Sequence, residues 1–216
     1  MNIVGLDEVG RGALAGLVVT GGVCFDEDVQ ASITTRERNG YLDFLIRGDD
    51  IRIADSKKLS LKERLVASDW IIKNARGFGI GKSSVKRINE LGIVPATNHA
   101  FRKSIKEIQR SLLTPIDSVL IDAFFIPRLP GIIKEKQKAI VHGDAKEFCI
   151  AAASIIAKVY RDHEMERLSQ EKKYEVYLWG RNKGYGTREH CVAIQKYGTT
   201  QQHRKLFVRK VLGEDK

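Results

Sequence analysis

The chain of 216 residues is 43% hydrophobic and 30% charged, so it can bury a core and fits one globular domain, predicted over residues 1–216. Its formal net charge of +10 favours a polyanionic partner, because clustered Lys and Arg displace the counterions of phosphates. No apolar run approaches the ~20 residues of a transmembrane helix, which excludes a membrane-spanning protein, and three widely spaced cysteines without a signal peptide predict a reducing cytoplasmic location.

The first predicted strand is the short apolar run at residues 3–6, which ends in the adjacent carboxylates Asp7 and Glu8. The triplet Gly10, Arg11 and Gly12 follows at once. Glycine lets the backbone turn and approach a ligand closely, so the strand end can offer carboxylates to a metal and bare N–H groups to an anion. The alternative for this stretch is an ordinary turn with surface charges.

A second strand is predicted over residues 18–25, paired with the first as a hairpin. Residues 26–54 are interpreted as a loop that holds a short helix. Beyond them, Ser56, Lys57 and Lys58 can bind a backbone phosphate through a hydroxyl and two ammonium groups. The alternative is that these three residues only lead into the next helix.

That helix is predicted to begin with a capping box formed by Ser60 and Glu63. Its expected apolar face carries Leu61, Leu65 and Ile72. A strand over residues 77–82 is predicted from the alternating apolar residues Phe78 and Ile80. This strand is expected to belong to the core, as are the two helices that follow it.

Two helices are predicted next, over residues 83–92 and residues 96–111. The apolar stripe of the second consists of Phe101, Ile105 and Ile108. A buried strand over residues 118–122 then delivers Asp122 at its carboxyl end, where open α/β sheets place their sites. The alternation of strands and helices predicts an α/β fold with a mixed sheet flanked by helices.

Asp144 follows another short strand and opens a long helix. With Glu147 it fits a capping box, which competes with a role for Asp144 as a metal ligand. Ser154, Lys158 and Arg161 come next at helical spacing. They fit either a substrate-facing row or a solvated polar face.

The last distinctive block, NKGYGTREH at residues 182–190, places Tyr185 between two glycines. A flexible backbone on each side allows the ring to be exposed and to approach a ligand. The alternative is a structural tyrosine in a turn. Thr187 is predicted to cap a helix that reaches Tyr197.

These blocks, in this order, resemble ribonuclease HII, whose opening signature is close to G-[IL]-D-E-[AV]-G-R-G-P-L-A-G-P-V-V. The resemblance runs over residues 2–207, and it departs from the family at Ala13 and Leu17, which replace prolines, and at Ala123, which replaces a glycine. It implies a ribonuclease H-like mixed β-sheet flanked by helices, with a C-terminal helical extension at about residues 165–216 that binds substrate.

Asp7, Glu8, Asp122 and Asp144 form an oxygen-only ligand set, which favours Mg²⁺ or Mn²⁺, with two ions expected. The resemblance implies an endonuclease that hydrolyses the RNA strand of RNA/DNA hybrids. It also implies cleavage 5′ to ribonucleotides embedded in duplex DNA, which leaves 3′-hydroxyl and 5′-phosphate ends and removes misincorporated ribonucleotides. The substrate-binding residues expected are Gly10, Arg11, Gly12, Ser56, Lys57, Lys58 and Tyr185.

Two alternatives remain open at this point. Ribonuclease HIII shares the carboxylates but usually has an extra N-terminal domain, for which a catalytic strand starting at residue 3 is expected to leave no room. A catalytically silent nucleic-acid-binding module would use the basic surface alone, with binding that falls as salt rises. The protein is expected to be a monomer without a clamp-binding tail.

Overall fold

A computed structural model of the protein describes residues 1–38 and 40–214. The strands are β1 (Ile3–Val9), β2 (Val18–Cys24), β3 (Ile33–Arg38), β4 (Tyr41–Ile46), β5 (Arg52–Ile53), β6 (Gly77–Ser83), β7 (Ser118–Asp122) and β8 (Gln137–Ile140). The α-helices are α1 (Glu27–Ala31), α2 (Leu61–Asn74), α3 (Val85–Leu91), α4 (Ile93–Ser111), α5 (Phe148–Ser169), α6 (Trp179–Asn182), α7 (Arg188–Tyr197) and α8 (Lys205–Leu212).

The main sheet is mixed and has the strand order β6-β2-β1-β7-β8. Strand β2 is antiparallel to both β1 and β6, whereas β7 is parallel to β1 and to β8. Both the predicted hairpin of the first two strands and the predicted mixed α/β sheet are therefore confirmed. Gly21 lets α5 lie directly on β2, because a Cβ at this position would come within 2.2 Å of the Ala153 carbonyl oxygen.

Helices cover both faces of this sheet. Helix α4 packs on one face through Phe101, Ile105 and Ile108, which are all fully buried as the sequence predicts. Helix α5 packs on the other face together with α2, around Ala152 and Ile155. The predicted capping of α2 by Ser60 and Glu63, the end of α3 at Gly92 and the capping of α7 by Thr187 are confirmed.

The prediction that residues 26–54 form a loop with one helix is wrong. After α1, strands β3, β4 and β5 form a second, antiparallel sheet. Its signal in the sequence is the Asn-Gly pair at residues 39–40, a typical hairpin turn, and Gly40 has a φ of 76°. Phe44 of β4 is buried and packs edge-on against Phe148, which joins this small sheet to α5.

The predicted apolar faces of α2 and β6 are also wrong. Leu61, Leu65 and Ile72 are 55%, 45% and 44% exposed, and α2 instead buries Ala67, Ser68 and Ile71. Phe78 is 38% exposed because β6 turns its glycines toward α4. A Cβ at Gly81 would come 1.9 Å from the Ala100 carbonyl oxygen, so the backbone of α4 occupies the position that apolar side chains would need.

The C-terminal helices surround a cluster of aromatic residues. Trp179 is fully buried and stacks on Tyr177 with ring centroids 5.3 Å apart. Helix α5 runs through residue 165, and Met165 contributes to this cluster as well as contacting Gly16. The helical C-terminal extension predicted from the sequence is present.

Among the described residues, no helix has the length and apolarity needed to cross a membrane.

Candidate active site

Asp7 and Asp122 lie side by side because their strands are parallel neighbours. Leu6 of β1 pairs with Ile121 of β7, so the next residue on each strand is a carboxylate at the same end of the sheet. The Gly143 amide donates to Asp122 Oδ1 over 2.8 Å, which holds the turn after β8 against β7. That turn carries Asp144 into the same cavity, of about 390 Å³, that Asp7, Glu8 and Asp122 also line.

Asp144 does not cap a helix, so the predicted capping box is wrong. It lies in a 3-10 turn, Gly143–Ala145, that the left-handed residue His142 precedes. Helix α5 begins later, at Phe148, and its N-cap residue Glu147 makes no side-chain capping bond. The Asp144 carboxylate lies instead 3.8 Å from Lys57 Nζ, beside the other acids. The structural explanation that competed with a metal-binding role is thereby removed.

Asp7 and Glu8 both reach the cavity although neighbouring strand residues point to opposite faces. The Glu8 amide donates to Asp7 Oδ1 over 2.7 Å, and Arg11 Nη1 lies 3.3 Å from Glu8 Oε1. The other carboxylate oxygen, Glu8 Oε2, is buried without a hydrogen-bond partner in the part of the chain that the structure describes. A buried acceptor left unpaired costs free energy, so this oxygen is available to a ligand.

Burial and mutual repulsion raise the pKa of three of these acids, Asp7, Glu8 and Asp144. Burial raises the pKa of Asp7 well above its usual range, and the charges of Glu8 and Asp122 raise it further. Burial raises the pKa of Glu8 to about 7, although Arg11 opposes the shift. Burial also raises the pKa of Asp144, with Asp55 and Asp122 adding to the effect. A divalent cation among these carboxylates would remove the repulsion.

The donor chemistry fits Mg²⁺ or Mn²⁺, which prefer carboxylate oxygens. Among the described residues, no three acidic, histidine or cysteine side chains already surround one common point as ligands. Four carboxylates nevertheless border the same cavity, and Glu8 Oε2 is unpartnered. The site is therefore a set of mutually repelling oxygens that a cation would draw together.

The other residues of the cavity come from the end of β1, from loops and from α5. They are Val9, Gly10, Arg11, Ser56, Lys57, Ser154, Lys158 and Tyr185. Most of the binding residues expected from the sequence are thus brought together. Gly12 and Lys58 are not among them, since Gly12 faces open space and the Lys58 ammonium lies over the Tyr41 ring.

Lys57 connects the acids to a fifth carboxylate. Its Nζ lies 3.8 Å from both Asp55 Oδ1 and Asp144 Oδ2. Burial opposes the charge of Lys57, but these carboxylates more than compensate and raise its pKa. Asp55 was missed as a site residue, although it opens the same block, residues 55–60, in which the two lysines were recognised.

Ser154, Lys158 and Arg161 of α5, which the sequence groups together, have different environments. Ser154 is buried, and its hydroxyl is 2.9 Å from that of Ser56. Lys158 donates to Asp162 Oδ1 over 2.7 Å, and burial lowers its pKa. Arg161 is fully buried, so it is neither substrate-facing nor part of a solvated face. The three residues lie on one helix, as their spacing predicts, but they do not share one exposed face.

Arg161 and Arg204 instead brace the loop between β1 and β2. Arg161 donates to the carbonyls of Ala15, Leu17 and Lys183. Arg204 donates to the carbonyls of Arg11, Gly16 and Leu17, and it too is fully buried. This role of Arg204 was missed, and its only sequence signal was its place near the end of the resemblance, which runs over residues 2–207.

The loop is also fixed to the backbone beside Tyr185. The amides of Leu14 and Ala15 donate to the Gly184 carbonyl over 2.8 and 3.1 Å. Gly184 has a φ of 79°, and a Cβ there would meet the Ala15 carbonyl oxygen at 2.5 Å. The flanking glycine is therefore required by close packing. It places the half-buried Tyr185 ring over the Arg161 guanidinium at 5.1 Å.

A buried histidine pair supports the same turn. His190 Nδ1 lies 2.9 Å from the Tyr185 carbonyl, so this nitrogen carries the proton and donates. Trp179 Nε1 donates to His190 Nε2 over 3.0 Å, and His203 Nε2 lies 3.2 Å from the same atom. His190 was missed, because only the folded chain brings it beneath the tyrosine.

Comparison with known proteins agrees with this geometry. A family model described as Ribonuclease HII matches residues 4–210. The chain is 41% identical over 205 residues to Ribonuclease HII of Wolbachia pipientis subsp. Culex pipiens (strain wPip), with 95% of this chain and 89% of the relative covered. It is 39% identical over 207 residues to Ribonuclease HII of Prochlorococcus marinus (strain AS9601), with 96% and 89% covered.

Solved structures share the fold. The ribonuclease H2 of Pyrococcus horikoshii OT3 superimposes with a TM-score of 0.70 at 24% identity, over 99% of this chain and 98% of that one. Bst-RNase HIII gives a TM-score of 0.69 at 17% identity, over 99% and 70%. The predicted ribonuclease H-like sheet is confirmed. The chain belongs to the ribonuclease HII family, and it is a ribonuclease H endonuclease, which hydrolyses the RNA strand of RNA/DNA hybrids.

Proposed function

We propose that the protein is a divalent-metal-dependent endonuclease that also cuts 5′ to single ribonucleotides embedded in duplex DNA, which removes misincorporated ribonucleotides. Asp7, Glu8, Asp122 and Asp144 are its proposed metal ligands and catalytic residues. The observation that carries this proposal is their convergence on one cavity, where Glu8 Oε2 is buried and unpartnered. The products expected are 3′-hydroxyl and 5′-phosphate ends.

The oxygen donors support Mg²⁺ or Mn²⁺ as the cofactor, with two ions proposed. A fold relative, Bst-RNase HIII, is described in complex with Mn²⁺. When bound, such ions activate a water molecule and stabilise the leaving oxygen of a phosphodiester. The pKa of about 7 for Glu8 means that protons compete with the cation near neutral pH.

The protein's own residues orient the substrate around this centre. Lys57 is 78% exposed beyond Asp144, so its ammonium can contact a backbone phosphate, and Ser56 lies beneath it. Gly10 and Arg11 line the cavity. Tyr185 lines the same cavity, where its ring can pack on a sugar and its phenol can meet a 2′-hydroxyl. That hydroxyl is the one group that distinguishes ribose from deoxyribose.

Lys58 and Gly12 contribute less directly in this proposal, since neither lines the cavity. Lys58 remains exposed, whereas Gly12 leaves open space beside Arg11. The C-terminal part from about residue 165 is proposed to bind substrate, because it presents Tyr185. The protein is further proposed to act as a monomer in the cytoplasm.

The test uses labelled duplexes with no, one or several ribonucleotides, each incubated with Mg²⁺, Mn²⁺ or a chelator. Asp7→Asn, Glu8→Gln, Asp122→Asn and Asp144→Asn should each lower turnover by orders of magnitude, because an amide keeps the shape but loses the charge. Asp69→Asn, on the exposed side of α2, is the matched control and should cleave normally.

Near wild-type turnover by Asp144→Asn at limiting metal would remove Asp144 from the site. A silent binding module predicts instead that no duplex is cut while binding still weakens with salt. The Archaeoglobus fulgidus ribonuclease HII is described in complex with PCNA. The expectation that this chain has no clamp-binding tail concerns its C-terminal end. That end includes residues 215 and 216, which lie outside the described residues.

A further inference from the structure

A second cavity, of about 400 Å³, lies at the carboxyl end of the edge strand β6. Four elements each contribute basic side chains to its wall. These side chains are Lys82 of β6, Arg87 of α3, His99 and Lys103 of α4, and Arg167 of α5. The polar wall of this cavity is therefore built from parts of the chain that only the fold brings together.

The positive charge in this basic cavity is not neutralised. Its one lining carboxylate, Glu164, lies 3.3 Å from Arg167, which leaves three permanent cations: Lys82, Arg87 and Lys103. Arg87 and Lys103 form no ion pair with any residue in ranges 1–38 and 40–214. Burial and the neighbouring charges of Arg87 and Lys103 lower the pKa of His99, as expected in a strongly positive environment.

The floor of the basic cavity offers a hydrogen-bonding group as well. Ser83 is 2% exposed, lines the cavity, and its hydroxyl has no hydrogen-bond partner among the described residues. Buried hydroxyls are normally paired. Cations around an unpaired hydroxyl are the groups expected where a protein holds a phosphate.

The basic cavity lies at the same end of the sheet as the carboxylates. Strands β1 and β6 are both antiparallel to β2, so their carboxyl ends coincide, and Lys82 pairs with Val19, which pairs with Val9. Two strand spacings of about 4.8 Å separate β1 from β6. The braced loop between β1 and β2 borders both cavities, since Gly10 and Arg11 line the first and Leu17 lines the second.

We propose that the basic cavity binds a backbone phosphate of the duplex, away from the scissile bond, and so positions the substrate. The proposal rests on the proposed function of the carboxylate site. The separation of about 10 Å between strands β1 and β6 corresponds to about three base-pair steps of 3.4 Å, so one duplex can reach both cavities. The ligand class is a phosphodiester backbone, read by charge and without base specificity.

The test compares wild type with an Arg87→Gln, Lys103→Gln double variant. Binding of a fluorescent duplex is measured without metal, over a range of salt concentrations. The dissociation constant should rise about tenfold, and the slope of its logarithm against log salt should fall by about 0.9 for each phosphate that the variant no longer neutralises. A Lys73→Gln, Arg110→Gln variant removes the same charge from exposed positions outside the cavity and is the matched control.

A second measurement uses single-ribonucleotide duplexes trimmed stepwise from either end. Wild type should lose affinity when one flank shrinks below about three base pairs, whereas the double variant should not respond to that trimming. Equal affinity and equal salt slope for the double variant and wild type on the long duplex would overturn the phosphate site. Absence of cleavage by wild type, with this binding difference intact, would overturn only the proposed function.

Discussion

Arg161 and Arg204 donate to the same oxygen atom, the carbonyl of Leu17, over 3.1 and 3.2 Å. Neither guanidinium has a carboxylate partner among the described residues. Burial lowers the pKa of both, and for Arg204 the charge of Arg161 also contributes, to a value of about 9. Two buried cations, whose hydrogen bonds all go to backbone carbonyls, therefore hold the loop that carries Gly10 and Arg11.

Arg204→Met should destabilise the protein and disturb the site together. The Arg11 and Gly16 carbonyls would lose their side-chain donor inside the protein, whereas the Leu17 carbonyl keeps Arg161. Each buried acceptor left unpaired costs about 1–3 kcal/mol. Urea unfolding should show this loss, and cleavage should slow because the Gly10–Arg11 wall is no longer fixed. Lys205→Met removes one charge from the adjacent exposed residue and should change neither measurement. An unchanged unfolding free energy for Arg204→Met would contradict the bracing role.

Glu8 should make the metal-free protein lose stability as pH rises, whereas the buried histidines His190 and His203, whose pKa burial lowers, act in the opposite direction. Burial raises the pKa of Asp7 and of Glu8, the latter from 4.5 to about 7, so the folded state holds more protons than the unfolded state between these values. The contribution of Glu8 to the free energy of unfolding therefore falls by about 3 kcal/mol across this range, since one pKa unit is about 1.4 kcal/mol.

Urea unfolding at about pH 5 and pH 8, with chelator, measures this loss. Glu8→Gln should remove the Glu8 contribution to the pH dependence, whereas Glu37→Gln on exposed strand β3 should leave the wild-type pH dependence unchanged. Added Mg²⁺ should restore stability more at the higher pH, because it binds the ionised carboxylates. The same pH dependence for Glu8→Gln and for wild type without metal would show that the pKa of Glu8 is not raised in the folded protein.

Tyr185→Ala should impair cleavage at a single embedded ribonucleotide much more than binding to plain DNA. Stacking of an aromatic ring on a nucleotide is worth ~1–3 kcal/mol, or about one to two decades in rate if it is realised in the transition state. Tyr185→Phe keeps the ring and separates stacking from the phenol hydrogen bond. Tyr197→Ala, at the exposed end of α7, is the control. If Tyr185→Ala cleaves at the wild-type rate in saturating Mg²⁺, Tyr185 is only a structural residue of the turn.

Ala123→Gly should stabilise the protein. Ala123 has a φ of 66°, a left-handed conformation that costs a residue with a Cβ ~1–2 kcal/mol, and its amide donates to the Ile140 carbonyl. Glycine removes that strain but gains entropy in the unfolded chain, so a net gain of about 0.5–1 kcal/mol is expected. Ala75→Gly, where φ is −69°, should instead destabilise. Thermal unfolding of both variants shows whether the first raises and the second lowers the unfolding temperature relative to wild type.

The sequence by itself determined the fold class and the family, because both depend on local patterns and short ordered motifs. The stripe of Phe101, Ile105 and Ile108 was readable from helical periodicity, and its burial is complete. The placement of Asp7 and Asp122 followed from strands that end in carboxylates. These features need only neighbouring residues and the rule that parallel strands share their carboxyl edge.

Only the tertiary structure decided which face of each element is buried and what each polar residue does. Leu61 and Phe78 fit apolar patterns but are exposed, and for Phe78 the reason is that α4 packs on the glycines of β6. Asp144 fits a helix cap but lines the cavity. Arg204 hydrogen-bonds Gly16 across 188 residues of sequence, a contact that no local pattern encodes. Burial is a property of what packs against a residue, and that partner comes from elsewhere in the chain.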